Sequence, residues 1–140
     1  MKITLSLFTI IIHFLSVAQT KSIVGTYEMR LDSSNALVVD TLVLNNDGTF
    51  VYHVYDKHDG GIPPERNMYG KGTWKLENNI VFFKTTTSDI DKTHTLNFNN
   101  SKARFITKSP RDKTNREIPT SLRFFKSNIF WVKGRNLLKK

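Results

Sequence analysis

Leu42-Val43-Leu44-Asn45-Asn46-Asp47-Gly48-Thr49-Phe50-Val51-Tyr52-His53-Val54-Tyr55 is the stretch that decides the fold class. Two runs of β-branched, aromatic and aliphatic residues flank Asn45-Asn46-Asp47-Gly48. Those four have turn chemistry, because Asn and Asp side chains bond back to nearby backbone and Gly accepts positive φ. In the second run Phe50, Tyr52 and Val54 share one face, and Val51, His53 and Tyr55 the other. A period of two with one more apolar face describes a strand lying between a core and water. The stretch therefore reads as a β-hairpin.

The same punctuation recurs along the chain. Candidate strands lie at 23–31, 37–44, 49–55, 72–76, 80–86, 94–98, 103–108, 119–125 and 129–133. Between them stand Glu77-Asn78-Asn79, Asn99-Asn100-Ser101 and Ser127-Asn128. Short strands joined by hairpin-length turns predict an all-β, antiparallel up-and-down meander. Gly-Thr-aromatic occurs at Gly25-Thr26-Tyr27, Gly48-Thr49-Phe50 and Gly72-Thr73-Trp74, each read as a turn-to-strand junction that places an aromatic on one face. The run 37–44 is apolar on both faces except for Asp40 and Thr41, so its facing stays open; its lone charge, Asp40, is read as marking the outward face, the alternative being a carboxylate inside the barrel with a raised pKa if unpaired. In the tail, Leu122, Phe125, Ile129 and Val132 also fit a helical stripe, but Ser127-Asn128 favours a final hairpin.

Residues 1–18 read as a signal peptide. Lys2 precedes an apolar run, and Ser16-Val17-Ala18 offers small residues for cleavage before Gln19. Residues 19–140 then form one domain. The chain has no cysteine, which excludes disulfides, thiol catalysis, Cys-ligated metal and an N-terminal lipid anchor. Export without disulfides points to a bacterial periplasmic or extracellular protein that is not lipid-anchored.

The combination of Ile23-Val24-Gly25-Thr26-Tyr27, Asn45-Asn46-Asp47-Gly48-Thr49-Phe50, Gly70-Lys71-Gly72-Thr73-Trp74 and Asn79-Ile80-Val81-Phe82 resembles the small lipocalin-like (calycin-type) domains of exported bacterial proteins. The resemblance spans roughly residues 23–85. It implies a closed lipocalin-like barrel of about eight strands with an internal cavity. Tyr27 stands where such domains usually have Trp, and Arg123 and Arg135 are both candidates for the C-terminal cation that packs over it.

Tyr52, Trp74, Phe82, Phe98, Phe105 and Phe124 alternate toward one side of their strands, so they either fill a barrel or line a cavity in it. Arg123 would neutralise a ligand carboxylate if it faced inward; if Leu122 and Phe124 face inward it lies in solvent. His53, Asp56, His58 and Asp59 are metal-ligand types, but are read as a strand end and a solvated loop, with no metal. No nucleophile elbow, paired carboxylates or phosphate-cradling loop is present, so neither a catalytic residue nor a cofactor is expected.

Charge is uneven. Residues 19–91 carry 7 Lys+Arg and 10 Asp+Glu, whereas residues 92–140 carry 13 and 2. Lys108, Arg111, Lys113 and Arg116 cluster in one long loop, an expected anion-binding surface. The leading expectation is an exported non-enzymatic protein that holds a small hydrophobic or amphipathic molecule in a barrel cavity. The alternative is an envelope interaction protein whose basic face meets an anionic polymer, a lipid surface or a protein partner. Nucleic acid is disfavoured as a partner by export.

Overall fold

The computed structural model describes residues 23–140; the signal-peptide reading of 1–18 lies outside them. Nine strands follow in order: β1 (Gly25–Asp32), β2 (Ala36–Leu44), β3 (Thr49–His58), β4 (Glu65–Glu77), β5 (Ile80–Lys84), β6 (His94–Leu96), β7 (Ser101–Ile106), β8 (Ser121–Lys126) and β9 (Asn136–Lys139). Around the sheet the order is β3-β2-β1-β9-β8-β7-β5-β4, and β3 pairs with β4 to close the circle. Eight strands thus form an antiparallel up-and-down, lipocalin-like barrel, and β6 lies outside it. Closure gives every barrel strand a neighbour on both edges.

Local chemistry sets the turns. Asn78 (φ 51°) and Asn79 (φ 62°) both occupy the left-handed region, as a two-residue hairpin between β4 and β5 requires. At the β2–β3 turn, Asp47 Oδ1 accepts from Thr49 N at 3.0 Å and from Thr49 Oγ1 at 2.6 Å. The connections β1–β2, β3–β4 and β8–β9 fall at one end, here the upper one; β2–β3, β4–β5 and β7–β8 fall at the lower end.

β4 is the longest strand and serves two neighbours on one edge. Its residues 65–73 pair with β3 along the other edge, while on this one Thr73–Glu77 pair with β5. Beyond Thr73, where β5 ends, β6 runs parallel to β4 at Tyr69 and Gly70 and covers the edge that would otherwise be open. The chain leaving β6 then sends Phe98 into the barrel. Its ring lies where a Cβ on Gly70 would come within 2.7 Å of Cε2. A Cβ on Gly72 would stand 2.1 Å from the Lys84 carbonyl oxygen. These two glycines are needed for close approach.

Phe98 sits among other inward aromatics. Its ring centroid is 4.7 Å from Tyr52 and 5.5 Å from Phe50, and Phe83 lies 5.0 Å from Phe50 and 5.2 Å from Phe124. Edge-to-face and tilted packing of this kind is favourable beyond its burial. The middle of the barrel is therefore filled. The lower end is packed with Ile23, Tyr27, Leu44 and Trp74, all buried, and the Tyr27 hydroxyl donates to the Ile23 carbonyl.

Several expectations change. All three Gly-Thr-aromatic segments do send their aromatic inward, but Gly72 lies inside β4 and does not open a strand. The segment 94–98 is an external parallel strand ending at Leu96, because Phe98 turns into the core. The segment 129–133 is neither strand nor helix; it is a run of turns that tucks Val132, fully buried, under the upper end, and the last strand is β9. The final hairpin is therefore β8–β9 with a long connection.

Removing the Phe98 ring should cost roughly 3–5 kcal/mol by vacating the barrel centre. Gly72→Ala should cost roughly 1–3 kcal/mol by pushing β4 off β5. Chemical denaturation of both variants checks the assignment; near-wild-type stability for Phe98→Ala would contradict a filled centre.

Candidate functional site

The alternation that begins at Phe50 continues two steps past Tyr55. Asp56 and His58 fall in phase with Phe50, Tyr52 and Val54, so they project inward near the upper end, while His53 projects outward. There His53 stacks on Tyr69 at 4.5 Å and its Nε2 lies 2.8 Å from Asn67 Oδ1. The four ligand-type residues at 53–59 consequently do not converge, and no group of three His, Asp or Glu suited to a metal occurs among the described residues.

Asp40 corrects the sequence reading most sharply. It faces inward and is fully buried. In register it stands opposite Val54 on one side and Met29 on the other. Tyr52 donates its hydroxyl to Asp40 Oδ2 at 2.7 Å, and Arg135 Nε lies 3.4 Å from the same oxygen. Asp40 Oδ1 has no hydrogen-bond partner. Burial pushes the Asp40 carboxyl above its ordinary value; the Tyr52 hydrogen bond and the Arg135 charge pull it partly back. Tyr52 is raised well above its ordinary value, first by burial and then by Asp40.

Above this pair the upper mouth opens into a cavity of about 480 Å³. Val38, Val54 and Met68 line it from β2–β4, and Phe130, Trp131 and Arg135 line it from the β8–β9 connection. Asp56, His58 and Arg66 supply its polar wall. Arg66 donates to Asp56 Oδ2 at 2.8 Å. His58 Nε2 lies 2.8 Å from Asp56 Oδ1 but off the hydrogen-bond line, so that buried oxygen also lacks a donor. Arg135 is held from behind, donating from Nε to the Trp131 carbonyl at 3.1 Å, with its guanidinium 5.9 Å from the Trp131 ring centroid. The arrangement offers apolar walls, an aromatic pair, two arginines and one buried carboxylate oxygen without a hydrogen bond, the features of a small-molecule pocket.

None of the binding residues expected from sequence lines this mouth. Tyr52, Phe98 and Phe124 are fully buried in the packed centre, and Trp74 is buried at the lower end, where its Nε1 donates to the Asn45 carbonyl at 3.2 Å. Phe82 faces out, and its neighbour Phe83 takes the inward position. Arg123 also faces out, because Leu122 and Phe124 point inward. The cation over Tyr27 is Lys139, with Nζ 6.0 Å from the ring centroid; Arg135 is engaged by Asp40 and Trp131, and Arg123 lies exposed on the outer face. Within the β7–β8 connection, Lys108 donates to the Thr114 carbonyl at 2.6 Å and Arg116 pairs with Asp112 at 2.9 Å, while Arg111 and Lys113 are exposed. That loop lies at the lower end, opposite the mouth.

A third strand ending at Tyr55 stops short of the mouth, whereas β3 runs on to His58. Extending the period-two phase to Asp56 and His58 would have found half of it. Nothing local places Arg66, Phe130, Trp131 and Arg135 beside them. No family model, curated protein or solved structure matches this chain.

Asp40 yields a signed pH dependence. With its native value raised above that of the unfolded chain, the folded state holds the proton more tightly, so this group's contribution to stability falls as pH rises between the two values. The melting temperature of the Asp40→Asn variant relative to the wild type should therefore increase from about pH 4 to about pH 7. Thermal melts of the two proteins across that range measure the slope, and the opposite slope would mean that Tyr52 and Arg135 outweigh burial.

Proposed function

We propose that this chain is a non-enzymatic binding protein that takes one small amphipathic molecule in the upper mouth of its barrel. The observation that carries the reading is the cavity of about 480 Å³, within the roughly 300–1,000 Å³ common for small-molecule sites. It combines the apolar surface of Val54, Met68 and Trp131 with Asp56, Arg66 and Arg135. The ligand sits above the aromatic plug, not in the barrel centre, since the centre is filled.

Its polar end carries a hydrogen-bond donor, a hydroxyl or an ammonium. Such a group supplies the hydrogen bond that Asp56 Oδ1, buried and 2.8 Å from His58 Nε2, does not make within the chain. The apolar body lies against Met68 and Trp131. Phe130, 87% exposed at the rim, gains burial when the mouth is occupied. With residues 1–18 read as a signal peptide, binding takes place outside the cytoplasm.

Dodecylamine and dodecanoate serve as probes of the two head-group chemistries. Titration followed by tryptophan fluorescence should show tighter binding of the amine. Met68→Arg, which places a long charged side chain in the mouth, should weaken it by about tenfold or more, equivalent to about 1.4 kcal/mol. Equal binding to wild type and Met68→Arg would remove the mouth as the site.

A further inference from the structure

The outer wall of the barrel over β4, β5, β7 and β8 carries a second, independent surface. Strand register aligns Lys75, Phe82, Lys102 and Lys126 in one row across the four strands. A second row runs through Glu77, Ile80, Arg104 and Arg123, and Lys84 stands beside the first row opposite Thr73. With adjacent strands about 4.8 Å apart, the first row spans roughly 15 Å.

Three observations set this face apart. First, β5, β7 and β8 contain no acidic residue; Glu77, at the end of β4, is the carboxylate at its margin. Second, Lys75, Lys84, Lys102, Arg104, Arg123 and Lys126 make no ion pair with a described carboxylate, so six unneutralised cations share one face. Third, Arg104 and Arg123 are directly opposed across β7–β8. Like charges in that position are unfavourable to the sheet, so folding alone does not account for them. A groove of about 290 Å³ adjoins the rows along β4–β5, lined in part by Lys75, Phe82 and Lys84, with Glu77 as its acidic residue.

We infer that this wall is a docking surface for an acidic polysaccharide, a stiff chain whose repeating anions lie across the strands along the two cationic rows. Charge complementarity fixes the sign of the partner. The aromatics separate it from nucleic acid. Base stacking uses open ring faces, but Lys102 Nζ lies 5.0 Å from the Phe82 centroid and the Arg104 guanidinium lies 5.7 Å from that of Phe125. A membrane surface is disfavoured because anchoring uses protruding apolar side chains. The most exposed of these, Ile62 and Phe130, belong to connections at the upper end.

The surface is tested with the whole secreted chain on immobilised polygalacturonate, with neutral dextran, oligo-dT and phosphatidylglycerol vesicles as comparisons. Binding to polygalacturonate should exceed binding to all three and weaken steeply with added salt. Lys102→Glu combined with Arg123→Glu should reduce it by about tenfold or more, while the melting temperature stays the same or rises because the Arg104–Arg123 repulsion becomes an attraction. Replacing Lys108, Arg111, Lys113 and Arg116 with Ser should leave binding within about twofold, since those residues lie on the lower loop. Tighter binding to oligo-dT or vesicles overturns the proposal, as does a loss that follows the loop replacement instead. A folded double-Glu variant that binds as wild type also overturns it. None of these outcomes bears on the mouth, whose probes and variants are different.

Discussion

The insertion of Phe98 into the barrel is the contact on which the rest of the structure depends. A long β4 needs two partners along one edge, and β5 is too short to cover it all. β6 caps the remainder from outside and delivers Phe98 through the region where β4 and β5 separate. Phe98 meets Phe50, Tyr52, Phe83 and Phe124 at centroid distances of 5.5, 4.7, 6.3 and 6.3 Å. Gly70 and Gly72 are the backbone counterpart of that insertion, because side chains there would occupy the space of the ring and of the Lys84 carbonyl. A dense interior has little tolerance for added or missing volume, so these residues act as one unit.

Filling the centre changes what the barrel can bind. A hollow barrel would bury a ligand among its aromatics, whereas here those aromatics already bury one another. The open volume is displaced upward, to the level where the inner wall turns from Tyr52 and Val54 to Asp56 and His58. The transition passes through Asp40, a carboxylate shared between the Tyr52 hydroxyl and the Arg135 guanidinium. That small polar group ties three elements together: β2, β3 and the connection that precedes β9. It thereby holds Arg135 and Trp131 at the rim. A buried ion pair of this type contributes little net stability once desolvation is counted, and its value lies in fixing the position of the mouth.

The two faces of the barrel divide the charge of the chain between them. The basic residues of the last third are not gathered only in the β7–β8 loop, where Arg116 and Lys108 are partly engaged by Asp112 and the Thr114 carbonyl. They also emerge on the outer face of β7 and β8, Lys102 and Arg104 by alternation and Lys126 through the register shift beside Lys102, and the sheet brings them into rows with Lys75 and beside Lys84 from earlier in the chain. The inner face of the same strands is apolar, so alternation along a strand serves the core and the charged wall at once.

Much of this was readable from residues alone. Strong period-two alternation in Phe50–Val54, together with the Asn and Gly turns, determined an all-β meander, since local dihedral preference and side-chain direction are properties of short segments. The inward placement of Tyr27, Phe50 and Trp74 followed from the same rule. Positions where both faces are apolar carry no such signal, and there the chain by itself was silent or misleading. Asp40 lies in one of these runs, and Phe82-Phe83 in another, so their facing was set by pairing with β3 and with β4 and β7. The tail from 127 to 135 has mixed periodicity because it is neither helix nor strand, and its shape comes from tucking Val132 under the upper end. The mouth and the cationic wall both join residues far apart in sequence. Their assembly depends on strand register around a closed sheet, a long-range property that no local pattern encodes.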